Sequence, residues 1–185
     1  MVRRRIRTPV YFHQTILALL LAVSACNAPE EKADSGPITI SIIGTNDVHG
    51  SLSARPGRGG LATFSGYVTA LRIARAADGG EVLLIDGGDM WQGTLESNLS
   101  EGASVMEAYN ALDYAAATIG NHEFDFGPVG SAATPQSDTD DARGALKQRA
   151  LQAHFPLLAA NLIDTSTNLP VDWPNVQPST LLEVA

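Results

Sequence analysis

The chain has 185 residues, 44% of hydrophobic types and 17% charged, the profile of one ordinary globular domain and not of a disordered or fibrous segment. Residues 1–26 hold Arg3, Arg4, Arg5 and Arg7 and no acid, which leaves 8 bases against 20 acids, a net charge of −12, in the remainder. A surface of that sign repels nucleic-acid backbones and gives no footprint for a polymer of DNA or RNA. An anionic substrate would need a local reversal of the field, which a metal site supplies.

After the arginines come the apolar run Ile16 to Val23 and then Ser24-Ala25-Cys26, the order of an export signal. The run is shorter than the roughly 20 residues a membrane-spanning helix needs, so cleavage is expected. Val23-Ser24-Ala25-Cys26 resembles the lipobox of bacterial lipoproteins, which implies acylation of Cys26 and a tether to the membrane by two or three acyl chains. An unmodified thiol beside an ordinary secretory cleavage site is the alternative. Cys26 is the only cysteine, so no intrachain disulfide can form. Residues 27–37 read as a polar linker, and 38–185 as the globular part, exported to the periplasmic or cell-surface side.

Within that part, Ile38 to Ile43 alternates apolar and polar positions and predicts a strand, ending in Asn46-Asp47-Val48-His49-Gly50. Residues 59–77 predict a helix with Leu61, Phe64, Val68, Leu71 and Ile73 near one face, closed by Asp78-Gly79-Gly80. Val82 to Ile85 is a continuous apolar run of the kind found in buried parallel strands, and it leads into Asp86-Gly87-Gly88-Asp89. A second helix is expected over 103–112, with Val105, Met106, Tyr109 and Leu112 on one face. The strand 115–119 follows, and then Gly120-Asn121-His122-Glu123-Phe124-Asp125. Residues 128–141 read as an irregular loop whose acidic run from Asp138 to Asp141 lacks the spacing of a calcium loop. A helix over 142–154, a strand over 155–161 and the start of another at Thr180–Ala185 complete the prediction.

Alternating strands and helices argue for an α/β fold, in which ligands collect beyond the carboxyl ends of the strands. Asp47, His49, Asp89, Asn121, His122 and Asp125 should therefore converge. They offer oxygen and nitrogen donors and no thiolate, a set suited to hard or borderline divalent ions such as Mn, Fe(II), Zn or Mg.

The Asn46–Gly50 stretch, Gly87-Gly88-Asp89-Met90-Trp91-Gln92-Gly93-Thr94 and Gly120–Asp125 resemble the D-x-H, G-D-x-x-x-G and G-N-H-E signatures of calcineurin-like metallophosphoesterases. With the preceding Asn110–Tyr114 and the later Phe155–Leu162, the chain is most similar to the N-terminal part of the 5′-nucleotidase/UDP-sugar hydrolase family. The resemblance covers roughly residues 38–162. It implies a layered β-sandwich flanked by helices, incomplete in this chain, and two divalent metal ions, Mn, Zn, Fe, Mg or Ca. It further implies that Asp47 and His49 bind the first ion, Asp89 bridges both, Asn121 binds the second, and His122 with Asp125 forms the catalytic dyad. Asp86 and Glu123 are expected in supporting roles.

The activity so implied is hydrolysis of a small phosphate ester, a nucleotide, by metal-activated water. The alternatives are a cyclic-nucleotide phosphodiesterase or a thiosulfohydrolase with the same centre, or an inactive lipoprotein remnant. Family members add further His ligands and a nucleotide-gripping domain from later sequence, whereas no His follows Asn161 here. The chain is therefore expected to be a truncated or fragmentary form of a longer enzyme.

Overall fold

A computed structural model describes residues 36–184. Its strands β1 (Ile40–Thr45), β2 (Glu81–Asp86), β3 (Ala116–Thr118) and β4 (Leu157–Leu158) lie side by side in that order. Two short strands, β5 (Ile163–Asp164) and β6 (Leu169–Pro170), pair antiparallel as a separate ribbon, and β7 (Val176–Gln177) then adds to β4. The five-stranded sheet β1-β2-β3-β4-β7 is parallel throughout. Helix α1 (Gly60–Ala77) links β1 to β2, α2 (Leu95–Asn98) and α3 (Ala103–Leu112) link β2 to β3, and α4 (Gly144–Gln152) leads to β4. Helix α1 packs on β2 and α3, and α3 packs on α4. The result is a parallel sheet with helices against it. Among the described residues, the sandwich implied by the resemblance is represented by this sheet and the β5–β6 pair.

The sequence explains the core. On β2, Val82, Leu84 and Asp86 turn inward and are buried, as the two-residue period of a strand requires. On α3, Val105, Met106, Tyr109 and Leu112 form the buried face, as their helical spacing predicts. That helix ends at Asp113 in the left-handed conformation, a common way of stopping a helix.

Several boundaries differ from expectation. β1 begins at Ile40 and runs to Thr45, because its register with β2 carries pairing through Thr45 opposite Asp86. Ile38, Ile40 and Ile42 are 53%, 47% and 66% exposed. On α1 the inward line runs through Leu61, Phe64, Val68 and Leu71, and Ile73 falls off it and lies in solvent. β4 contains only Leu157 and Leu158 of the expected 155–161, since Pro156 has no N–H to add to a ladder. Thr180–Val184 forms no strand, and Leu181 is exposed. The strand that joins the sheet there is β7, where Asn175 Nδ2 donates to the carbonyls of Ala150 and Phe155 and so fixes the approach.

The signal, the lipobox Cys26 and most of the linker lie outside the described residues. Among the described residues no helix is long and apolar enough to cross a membrane.

Candidate metal centre

The segments following β1, β2 and β3 meet at the carboxyl edge of the sheet. The first two are joined by backbone hydrogen bonds from Asp47 N to Gly88 O (3.0 Å), His49 N to Asp89 O (3.0 Å) and Gly50 N to Met90 O (2.8 Å). Asp47, His49 and Asp89 all adopt left-handed backbone, with φ of 50°, 48° and 57°. Asp and His tolerate that region better than most residues, yet each such position carries roughly 1–3 kcal/mol of strain. Among the described residues Glu101, Asp113, Asn168 and Asn175 share this conformation, so here it describes the shape of the loops that carry the candidate ligands. The third segment abuts the second at two glycines: a Cβ on Gly88 would meet Gly120 N at 2.8 Å, and one on Gly120 would collide with Asp89 Oδ1.

His49, Asp89 and His122, all half-buried, each offer a ligand atom, and these atoms lie within 4.8 Å of one another. His49 Nδ1 is 2.9 Å from Gln92 O. A carbonyl only accepts, so Nδ1 is the donor, and Nε2 of the neutral ring is left as a cation ligand. That Nε2 is 3.8 Å from Asp47 Oδ1, while Asp47 Oδ2 accepts from Asn46 Nδ2. Asp89 Oδ1 accepts from His122 N at 3.0 Å, leaving Oδ2 available. The two imidazoles lie edge to face, centroids 5.0 Å apart. Two imidazoles and a carboxylate fit a borderline divalent ion.

A 3₁₀ turn over His122–Phe124 sets His122 above Asp125, because residues three apart eclipse in that geometry. His122 Nδ1 and Asp125 Oδ2 are 2.6 Å apart, and this hydrogen bond holds the imidazole above the ordinary histidine range. Of the sequence-predicted site residues, the structure thus gathers His49, Asp89 and His122, with Asp47 beside His49 and Asp125 beside His122. Asn121 sits exposed at the start of the turn, its carbonyl accepting from Phe124 N. His122, expected to face a leaving group, also stands within reach of a cation.

Two buried carboxylates underlie the centre. Asp86 accepts from Thr45 Oγ1 (2.6 Å), Tyr109 OH (2.9 Å) and Gly88 N (2.7 Å), and burial raises it above the usual carboxylate range. Glu123, 1% exposed, accepts from Met90 N at 2.7 Å through Oε1, and from Asp89 N at 2.9 Å and Gly120 N at 2.6 Å through Oε2. Burial raises it too, against those three donors. The Tyr109 and Tyr114 rings, stacked 4.0 Å apart beneath Asp86, and the Gln92 carbonyl behind His49 had no signature in the sequence.

The tyrosines predict an alkaline weakness. Burial pushes Tyr114 up to about 12 and Tyr109 well above its ordinary value. Below pH 10 both folded and unfolded chains keep the phenolic protons. Between pH 10 and 12 the unfolded chain releases them and the folded chain does not, so stability falls as pH rises. Tyr114 alone accounts for a loss of ~2–3 kcal/mol across that window. Denaturant melts at pH 9 and pH 11.5 should show this decline, and Tyr114→Phe should flatten it.

This fold and donor set define a metallophosphoesterase-type α/β scaffold. A 5′-nucleotidase from Diplobatis ommata is 33% identical over 175 residues, covering 91% of this chain and 26% of that protein. Protein UshA of Escherichia coli strain K12 is 36% identical over 129 residues, covering 69% of this chain and 21% of UshA. The crystal structure of a 5′-nucleotidase precursor from Thermus thermophilus matches with a TM-score of 0.59 at 28% identity, over 78% of this chain and 26% of that one. No family model matches. The chain is a homologue of the 5′-nucleotidase and UshA proteins over most of its 185 residues. It spans about a quarter of the length of these relatives.

Proposed function

We propose that the chain carries part of the catalytic centre of a metal-dependent phosphoesterase acting on nucleotide phosphate esters. The observation that supports this most is the His49–Asp89–His122 cluster at the ends of successive parallel strands. In this reading Asp47 and His49 would hold one divalent ion, Asn121 would hold a second, and Asp89 would serve both. Bound divalent ions supply positive charge to phosphoryl oxygens and acidify water. The chain's own work lies around them. Asp125 fixes the His122 ring by its hydrogen bond at Nδ1 and favours the protonated form. His122 then delivers a proton to the departing ester oxygen.

The test is a panel of AMP, UDP-sugars, 2′,3′-cyclic AMP and p-nitrophenyl phosphate, each with Mn2+, on the wild-type chain, His122→Ala and Asp125→Asn. Any AMP hydrolysis by the chain, expected to be low, should be abolished by chelation and lowered on the order of 10²-fold by His122→Ala. Asp125→Asn should lower it less. Turnover of AMP indifferent to chelator or to His122→Ala would overturn the reading.

The proposed protein works outside the cytoplasm, exported by residues 1–26 and held by lipid at Cys26. In a bacterial host fed a labelled fatty acid, the label should enter the wild-type chain and be absent from Cys26→Ala. Equal labelling of both would remove the anchor from the proposal.

A further inference from the structure

Glu123 lies outside the ligand cluster, and its carboxylate is sealed from solvent. It nevertheless stands where two of the three site segments meet. Its Oε1 takes the Met90 N–H, and its Oε2 takes the N–H groups of Asp89 and Gly120. A carboxylate accepts at about four lone-pair positions, so three backbone donors nearly saturate it. Among the described residues, the other polar link between these segments is His122 N to Asp89 Oδ1. The Gly88–Asp89 backbone is left-handed at both residues, φ 98° and 57°, a shape that local preference does not hold by itself.

We propose that Glu123 is a positioning residue that locks the Asp89 segment to the His122 turn, so that the placement of a cation at Asp89 and of the imidazole at His122 become one event. The idea rests on the metal-centre reading above and goes beyond it, since it assigns the geometry of two functional side chains to a third that touches neither ion nor substrate. The carboxylate chemistry makes a specific demand. In Glu123→Gln the shape is kept, but an amide nitrogen cannot accept, so at least one of the three N–H groups loses its partner. Glu123→Asp keeps the charge and is one methylene too short to serve both segments in the same geometry.

The experiment combines backbone hydrogen–deuterium exchange, read in peptides spanning 86–93 and 118–126, with calorimetric titration of Mn2+. Wild type, Glu123→Gln, Glu123→Asp and the core variant Leu112→Ala are compared well below their melting temperatures. Expected for Glu123→Gln is faster exchange in both peptides together, with α3 still protected, and Mn2+ affinity lower by roughly 10–100-fold, the range for groups that orient metal ligands. Glu123→Asp should lose coupling in the same two peptides. Leu112→Ala removes a side chain only 6% exposed at the end of α3, where the chain enters β3 at the sheet edge opposite the cluster; it should melt earlier yet bind Mn2+ within about twofold of wild type, as expected for independent sites. Wild-type exchange in either peptide of Glu123→Gln, or a lowered melting temperature with unchanged Mn2+ affinity, would overturn the proposal and leave Glu123 a structural carboxylate. Failure of the wild-type chain to bind Mn2+ would instead remove the metal-centre reading, and the exchange measurement would still decide whether Glu123 locks the two segments.

Discussion

Asp89→Asn is expected to reduce Mn2+ affinity by roughly 10²–10⁴-fold, the scale of removing one partner from a close charge pair at about 3–5 kcal/mol, with little change in melting temperature. The substitution isolates charge from shape. Asn tolerates left-handed backbone about as well as Asp, so the φ of 57° at this position is retained. Its carbonyl oxygen can still accept from His122 N, the bond made by Asp89 Oδ1. What disappears is the anionic charge between His49 and His122. Calorimetric titration with Mn2+, beside a thermal melt without metal, separates the two effects. Undiminished binding would show that Asp89 does not hold the ion. A large fall in melting temperature would show that its main work is in folding.

Gly120→Ala should strike both properties at once. The added methyl collides with Asp89 Oδ1 and comes within 2.7 Å of Asp89 N, where backbone and ligand are each fixed by other bonds. Overpacking of this kind costs about 1–3 kcal/mol, and for a chain of this size each kcal/mol lowers the melting temperature by roughly 2–4 °C. Relief requires the Asp89 carboxylate to move or the Gly120 segment to separate from Gly88, and either breaks the His49–Asp89–His122 grouping. Mn2+ binding should therefore fall further than the melt alone suggests. A variant with wild-type melting and wild-type binding would mean that the two segments slide past one another freely.

How much of this was legible depended on the length over which a pattern repeats. Helix α3 was read to the residue because Val105, Met106, Tyr109 and Leu112 repeat over about two turns and all face the core. Strands β5, β6 and β7 have two residues each, too few for an alternation to be seen. The four-residue α2 escaped for the same reason, although Thr94 caps it with its side chain. The convergence of Asp47, His49, Asp89 and His122 was readable because each follows a recognisable strand in a parallel arrangement. The partners that orient them were not. Gln92 serves His49 through a backbone carbonyl, which every residue type possesses. Glu123, charged and set in a polar motif, looks like a surface residue until the fold closes three N–H groups around it.

The left-handed backbone at Asp47, His49 and Asp89 has an outcome for the history of such a sequence. At each of these positions glycine would relieve strain, so a population selected only for persistence of the fold would drift toward Gly there and shed its ligands one at a time. Keeping all three side chains in that conformation comes at a cost to stability. Directed evolution for heat resistance, run without a metal-binding screen, should erase these positions early.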